Sequence, residues 1–106
     1  MVSLQYGTSK QAEKPVIITR EYTFGYTVSS GSYDEVTATD LGISDVPGYI
    51  PFAIVKIRTS SSSVVPYSYQ PGTSGGVVWL RNVGSASVSN TLTIIMAYIR
   101  NDVISS

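Results

Sequence analysis

From Pro15 onward, hydrophobic and polar residues alternate with a period of two over most of the chain. Val16, Ile18, Tyr22, Phe24, Tyr26 and Val28 take alternate positions, with Thr19, Glu21, Thr23 and Thr27 between them. Successive side chains of an extended chain point to opposite sheet faces, so this run predicts a long strand with one buried face. Gly25, on the polar side, is expected to mark a bulge or bend. After a turn at residues 29–32, Tyr33 to Thr39 reads as a weaker strand, and residues 40–48 form a loop punctuated by Gly and Pro. The segment from Tyr49 to Arg58 is apolar on both sides in its first half and alternates in its second. It is expected to start buried on both faces and to end with one wet face. Pro51 donates no ladder bond and must sit at the strand's start or on a sheet edge. Shorter strands follow at 64–69 and 77–83, then a long last one at 90–99, with Leu92, Ile94, Met96 and Tyr98 on one face. No stretch carries a helical period.

Several short strands separated by turn signals predict an all-β fold, an antiparallel β-sandwich of jelly-roll-like type. Residues 15–106 form this domain, and residues 1–14, polar and without period, form an arm. The strands at 50–57 and 90–99 carry apolar residues on both faces, whereas a sandwich gives each sheet only one core face. The surplus needs a cover, either another copy of the chain or the arm folded back. Ile50, Phe52, Ile95 and Ile99 are the candidate interface residues. Arg20 joins them, because a lone Arg on an apolar strand face must reach a carboxylate or the solvent rim, and a subunit seam offers both.

Composition narrows the chemistry. Of 106 residues, 42% are hydrophobic but only 13% are charged, with net charge +0. Low charge with ordinary hydrophobicity belongs to a folded chain, not a disordered one. The basic residues are scattered, so no electrostatic footprint for nucleic acid exists. No segment approaches a membrane span, and the first residues lack the apolar core of a signal peptide. With no Cys and no His, disulfides, thiolate zinc sites and Ser–His or Cys–His nucleophiles are excluded. Asp34, Glu35, Asp40 and Asp45 could hold Ca²⁺ or act as a carboxylate pair. Their spacing matches neither a calcium loop nor a glycosidase, and solvated loop acids explain them. The expectation is a protein that is no enzyme and needs no cofactor or metal.

The aromatic inventory is richer: Tyr 8, Trp 1, Phe 2. Such residues bury large area at small entropic cost, which favours them at binding surfaces. Tyr67 and Tyr69 alternate beside the Gly/Ser loop at 72–76 and form a candidate platform for a sugar or a protein. The alternative is packing on the core with the hydroxyl at the rim. Trp79 alternates with Arg81, opposite Val78 and Leu80, and belongs to the core or to an interface.

The run Gly76-Val-Val-Trp-Leu-Arg-Asn-Val-Gly-Ser-Ala-Ser-Val-Ser-Asn-Thr-Leu-Thr-Ile-Ile-Met-Ala-Tyr-Ile-Arg100 resembles the closing hairpin of phage tail-fibre and baseplate tip domains. In those, a strand ends on an Arg-Asn-like pair, a Ser-rich turn follows, and a final strand ends on Tyr-Ile-Arg or Tyr-Ile-Lys. Gly48-Tyr49-Ile50-Pro51-Phe52-Ala53-Ile54 is similar to their glycine–tyrosine element before an apolar strand. The resemblance covers roughly the last sixty residues. It implies a virion structural protein, assembled in the host cytoplasm, whose sandwich forms a homotrimer and binds a host-surface saccharide beside other virion proteins. A chain that starts at Met1 without an upstream shaft is expected to fit a head decoration or fibre component better than the tip of a long fibre, and the alternative reading is a head decoration or assembly protein anchored by its arm, with no receptor role.

Overall fold

The computed structural model describes residues 14–104. Apart from Lys14, the expected arm lies outside them. Among the described residues, six strands and two single-turn helices follow in order: β1 (Ile17–Val28), β2 (Tyr33–Thr37), α1 (Ala38–Leu41), β3 (Tyr49–Thr59), β4 (Val64–Tyr69), β5 (Gly76–Asn82), β6 (Val88–Arg100) and α2 (Asn101–Ile104). The strands form two three-stranded antiparallel sheets, in the orders β1-β6-β3 and β2-β5-β4. The all-β expectation holds.

The period-two pattern has the consequence it predicts. Leu92, Ile94, Met96 and Tyr98, alternate residues of central strand β6, are wholly buried. Val36, Val64, Val78 and Leu80 of the second sheet join them, with Val28, in one hydrophobic cluster. Leu41 and Ile43, from α1 and the segment after it, belong to it too. Each such side chain contributes about 1.5–3 kcal/mol when fully buried. The ends of β1, β3 and β6 are tied to the incoming chain. The Tyr49 hydroxyl donates to the Pro15 carbonyl at 2.7 Å, and Arg100 Nη1 donates to the Lys14 carbonyl at 2.7 Å.

Four local expectations are corrected. Residues 38–41 are helical, not strand and loop. Thr37 accepts from the Asp40 N–H at 3.1 Å while Asp40 accepts from the Thr37 N–H at 3.0 Å. This reciprocal capping box nucleates the turn, and Gly42, at φ 73°, ends it in the left-handed region. Gly25 makes no bulge, since it pairs with Thr91 in an unbroken register. The register shifts fall instead at Phe52 and Val55 in β3, at Tyr67 in β4 and after Val36 in β2. Two of the bulged residues directly follow a proline, Pro51 and Pro66, on edge strands where a missing N–H is tolerated.

The start of β3 is not buried on both sides. Ile50 is 39% and Phe52 47% exposed, because β3 is an edge strand and its surplus apolar residues face outward. Finally, β5 and β6 do not form a hairpin. The turn at 83–87 carries the chain from one sheet to the other. Buried Asn82 holds that crossing: its amide donates to the Val28 and Ala86 carbonyls, both at 3.0 Å, and its carbonyl accepts from the Gly84 N–H at 2.8 Å.

Candidate binding face on the second sheet

Strand pairing sets the outer face of the β2-β5-β4 sheet. Tyr33, Arg81 and Val65 lie in one cross-strand row, and Glu35, Trp79 and Ser68 in the next. The bulge after Pro66 turns Tyr67 onto the same face, where its ring meets that of Tyr33 edge-on at 5.6 Å. The Arg81 guanidinium sits 4.8 Å above the Tyr33 ring. A cation–π contact of this kind at an exposed site is worth about 0.5–1 kcal/mol. It holds Tyr33 in place although that side chain is 62% exposed. Tyr67 is 53% exposed, and Trp79, in the neighbouring row, is half-buried.

Gly76 makes room for the last part of the face. A Cβ at this residue would overlap both the Glu35 carboxylate and the Trp79 ring, so the missing side chain lets those two groups close over the backbone. The result is a shallow surface of three aromatic rings with one guanidinium and one carboxylate, all carried by strands. Rings offer flat apolar area to the C–H face of a flat ligand. Arg81 and Glu35 supply a donor fork and an acceptor at its border.

The predicted site residues distribute unequally. Tyr67 and Trp79 come together on this face, but Tyr69 does not. The register shift between Pro66 and Ser68 sets Tyr69 opposite Val78, and it lines a groove with Ile54, Ile57 and Pro66 between β3 and β4. Neither tyrosine packs into the core, since Tyr69 is 56% exposed as well. Sequence reasoning missed Tyr33, Glu35 and Arg81 as members. Only Arg81's alternation with Trp79 hinted at them, because the rest depends on which strand lies beside β5.

On the first sheet, Ile50, Ile95 and Ile99 share the outer face with Ile17: Ile99 stands opposite both Ile17 and Ile50, and Ile95 opposite Glu21 and Lys56. Phe52, displaced by its bulge, is exposed beside them. Arg20 is on the other side, opposite Met96, and is exposed at the sheet edge.

A groove of about 430 Å³ runs between β1 and β2, lined by Phe24, Tyr26, Tyr33, Asp34, Glu35 and Asp40 among others. Burial, reinforced by the Asp34 carboxylate, pushes the Tyr26 hydroxyl up to about 12. Asp40 is already engaged in its cap, and among the described residues no three acidic side chains converge closely enough to hold a metal ion. Among them, too, no helix is long and apolar enough to cross a membrane. Comparison of the chain with known proteins finds no matching family model, no matching curated protein and no matching solved structure.

Proposed function

We propose that this chain is a non-catalytic binding module, a jelly-roll-like β-sandwich that holds a cell-surface saccharide on the outer face of its β2-β5-β4 sheet. The observation that carries the reading is the exposed Tyr33–Tyr67 ring pair with the Arg81 guanidinium over Tyr33, and half-buried Trp79 beside Glu35 in the next cross-strand row of the same face. A pyranose ring has an apolar C–H face that rests on an aromatic ring and an equator of hydroxyls that suits a guanidinium and a carboxylate. A binding surface needs no acid–base pair, and this one has a single carboxylate.

The strand order supports the sandwich. Sheets β1-β6-β3 and β2-β5-β4 share one hydrophobic cluster, and all connections but the β4–β5 hairpin pass from one sheet to the other. That is the alternation of a jelly roll, an architecture used by viral capsid and lectin domains alike. The glycine–tyrosine start of β3, the part of the tail-fibre resemblance that does not depend on a β5–β6 hairpin, supports placement in a virion, where the outer face with Ile17, Ile50 and Ile99 would contact other virion proteins.

Trp79 is the chain's one tryptophan, so its fluorescence reports on the site directly. Titration with bacterial wall polysaccharides is expected to shift the emission of the native chain. Tyr67→Ala should weaken binding by roughly tenfold, about 1.4 kcal/mol, without unfolding a protein that exposes more than half of this side chain. Undiminished binding by Tyr67→Ala and Tyr33→Ala would remove the platform from the account. Release of new reducing ends from any polysaccharide that binds would remove "non-catalytic".

A further inference from the structure

The two sheets have four edges, and three are unfit to receive another strand. Edge strand β3 contains Pro51 and two bulges, and β4 contains Pro66 and one bulge. Edge strand β2 is 5 residues long and has a register shift near its end. The fourth, β1, has 12 residues, no proline and no break in register from Ile17 to Val28. Proteins usually blunt such an edge with proline, bulges or brevity, because its free N–H and C=O groups are a template for pairing. Here three edges are blunted and one is not.

The groups on that edge can be named. The Arg100 N–H donates to the Val16 carbonyl at 2.9 Å, which makes Val16–Arg100 a hydrogen-bonded pair of the antiparallel ladder. Since bonding sides alternate residue by residue, the even-numbered residues of β1 bond to β6. Ile17, Thr19, Glu21, Thr23, Gly25 and Thr27 therefore direct their backbone groups away from it. Among the described residues no strand lies beyond them.

We infer that β1 is a self-association edge, on which β1 of a second copy pairs antiparallel about a two-fold axis at Tyr22. That register sets Ile17 against Thr27 of the second copy, Thr19 against Gly25, and Glu21 against Thr23, and each reciprocally. Every outward backbone group on both edges then finds a partner. A register centred on Glu21 would set that carboxylate against its own copy, and one centred on Thr23 would strand Ile17. The chosen register also keeps the core-side faces of both copies on one side of a continuous six-stranded sheet.

Charge supports the same register. Arg20 has no ion-pair partner among the described residues. In the pair it stands opposite Phe24 of the second copy, at the mouth of the groove that Phe24 shares with Asp34 and Asp40. A guanidinium without a carboxylate among the described residues thus reaches a groove whose carboxylates have no ion-pair partner among them, twice per dimer. This pairing is independent of the saccharide face.

Light scattering on the full chain tests it. Native protein at micromolar concentration is expected to have twice the chain mass, and Thr23→Pro the mass of one chain. By the same alternation the Thr23 N–H points away from β6 and meets no other strand among the described residues, so its loss spares the β1–β6 ladder. A native monomer at high concentration, or an oligomer unchanged by Thr23→Pro, would overturn the proposal; a threefold particle built on the Ile50 and Ile99 face would be one such case. Should Thr23→Pro fail to fold, cross-linking decides. The chain has no cysteine, and opposed residues of a hydrogen-bonded pair lie about 5.5 Å apart at Cα, within disulfide reach. Mixed Glu21→Cys and Thr23→Cys chains should cross-link to each other faster than either does to itself. Equal rates, or slow amide exchange at Thr19, Glu21 and Thr23 in a one-chain particle, would assign the edge to another occupant such as residues 1–13.

Discussion

The hydroxyls of Tyr22 and Tyr98 meet at 2.5 Å on the core side of the β1–β6 pair. Tyr98 is wholly buried while Tyr22 keeps some exposure, so the bond is worth different amounts to its two ends. Tyr22→Phe strands a buried hydroxyl and is expected to cost about 1–3 kcal/mol. Tyr98→Phe removes the buried group itself and leaves Tyr22 able to turn to water, so its cost is smaller. The double variant should then cost no more than Tyr98→Phe alone. Urea denaturation of the three variants checks the ordering, and strictly additive losses would contradict it.

Alkali should weaken the fold earlier than deamidation or other chemistry requires. Burial first, and then the bond from Tyr22, raise the Tyr98 hydroxyl far above its ordinary value of 10.0, while burial and Asp34 raise Tyr26 to about 12. Both groups hold their protons more tightly folded than unfolded. Their contribution is therefore complete below about pH 10 and lost as pH climbs toward about 12. The urea midpoint should stay flat to about pH 10 and fall above it. In Tyr26→Phe the fall should be shallower.

Much of the fold was legible because local pattern decides it. The alternation through Tyr22, Phe24 and Tyr26, and through Leu92, Ile94, Met96 and Tyr98, marks two strands whose one face is buried, and a one-residue slip would expose every core residue. The helical turn at 38–41 escaped the pattern, because its four residues carry no period and only the capping box of Thr37 and Asp40 marks it. What pattern could not supply is pairing. Tyr67 and Tyr69 look like neighbours on one face until the bulge after Pro66 separates them, and Tyr33 reaches Tyr67 only because β2 and β4 flank β5. Residues far apart in sequence make the binding face, so its members could not be read from spacing.

Asn82 offers a sharper test of how the two sheets are joined. Its amide satisfies the carbonyls of Val28 and Ala86, and its own carbonyl takes the Gly84 N–H. Asn82→Ala should cost about 3 kcal/mol, since groups in a buried site lose their partners. Asn82→Asp should be at least as damaging at neutral pH: a carboxylate still accepts from Gly84 but donates to neither carbonyl and faces both. Thermal or urea unfolding at neutral pH and at about pH 4 distinguishes the two causes, because protonating the aspartate restores one donor. Recovery of Asp but not Ala on acidification is the expected result.

Gly76 separates the stability of the fold from the shape of its candidate binding face. The place a Cβ would take there is filled by the ends of two side chains, Glu35 and Trp79, and not by backbone. Those ends can move, so Gly76→Ala should change stability by only about 1 kcal/mol, and the gain from replacing a strand glycine offsets part of even that. The face itself cannot absorb the methyl group unchanged. Trp79 must tilt off the strand and Glu35 must leave its side, which separates the carboxylate from the rings that border it. Gly76→Ala is therefore expected to unfold near the native midpoint, to shift the Trp79 emission in the absence of ligand, and to lose saccharide affinity by roughly tenfold. A large loss of stability with unchanged emission would mean that Trp79 and Glu35 are locked in place by packing, and that the glycine supports the fold and not the site.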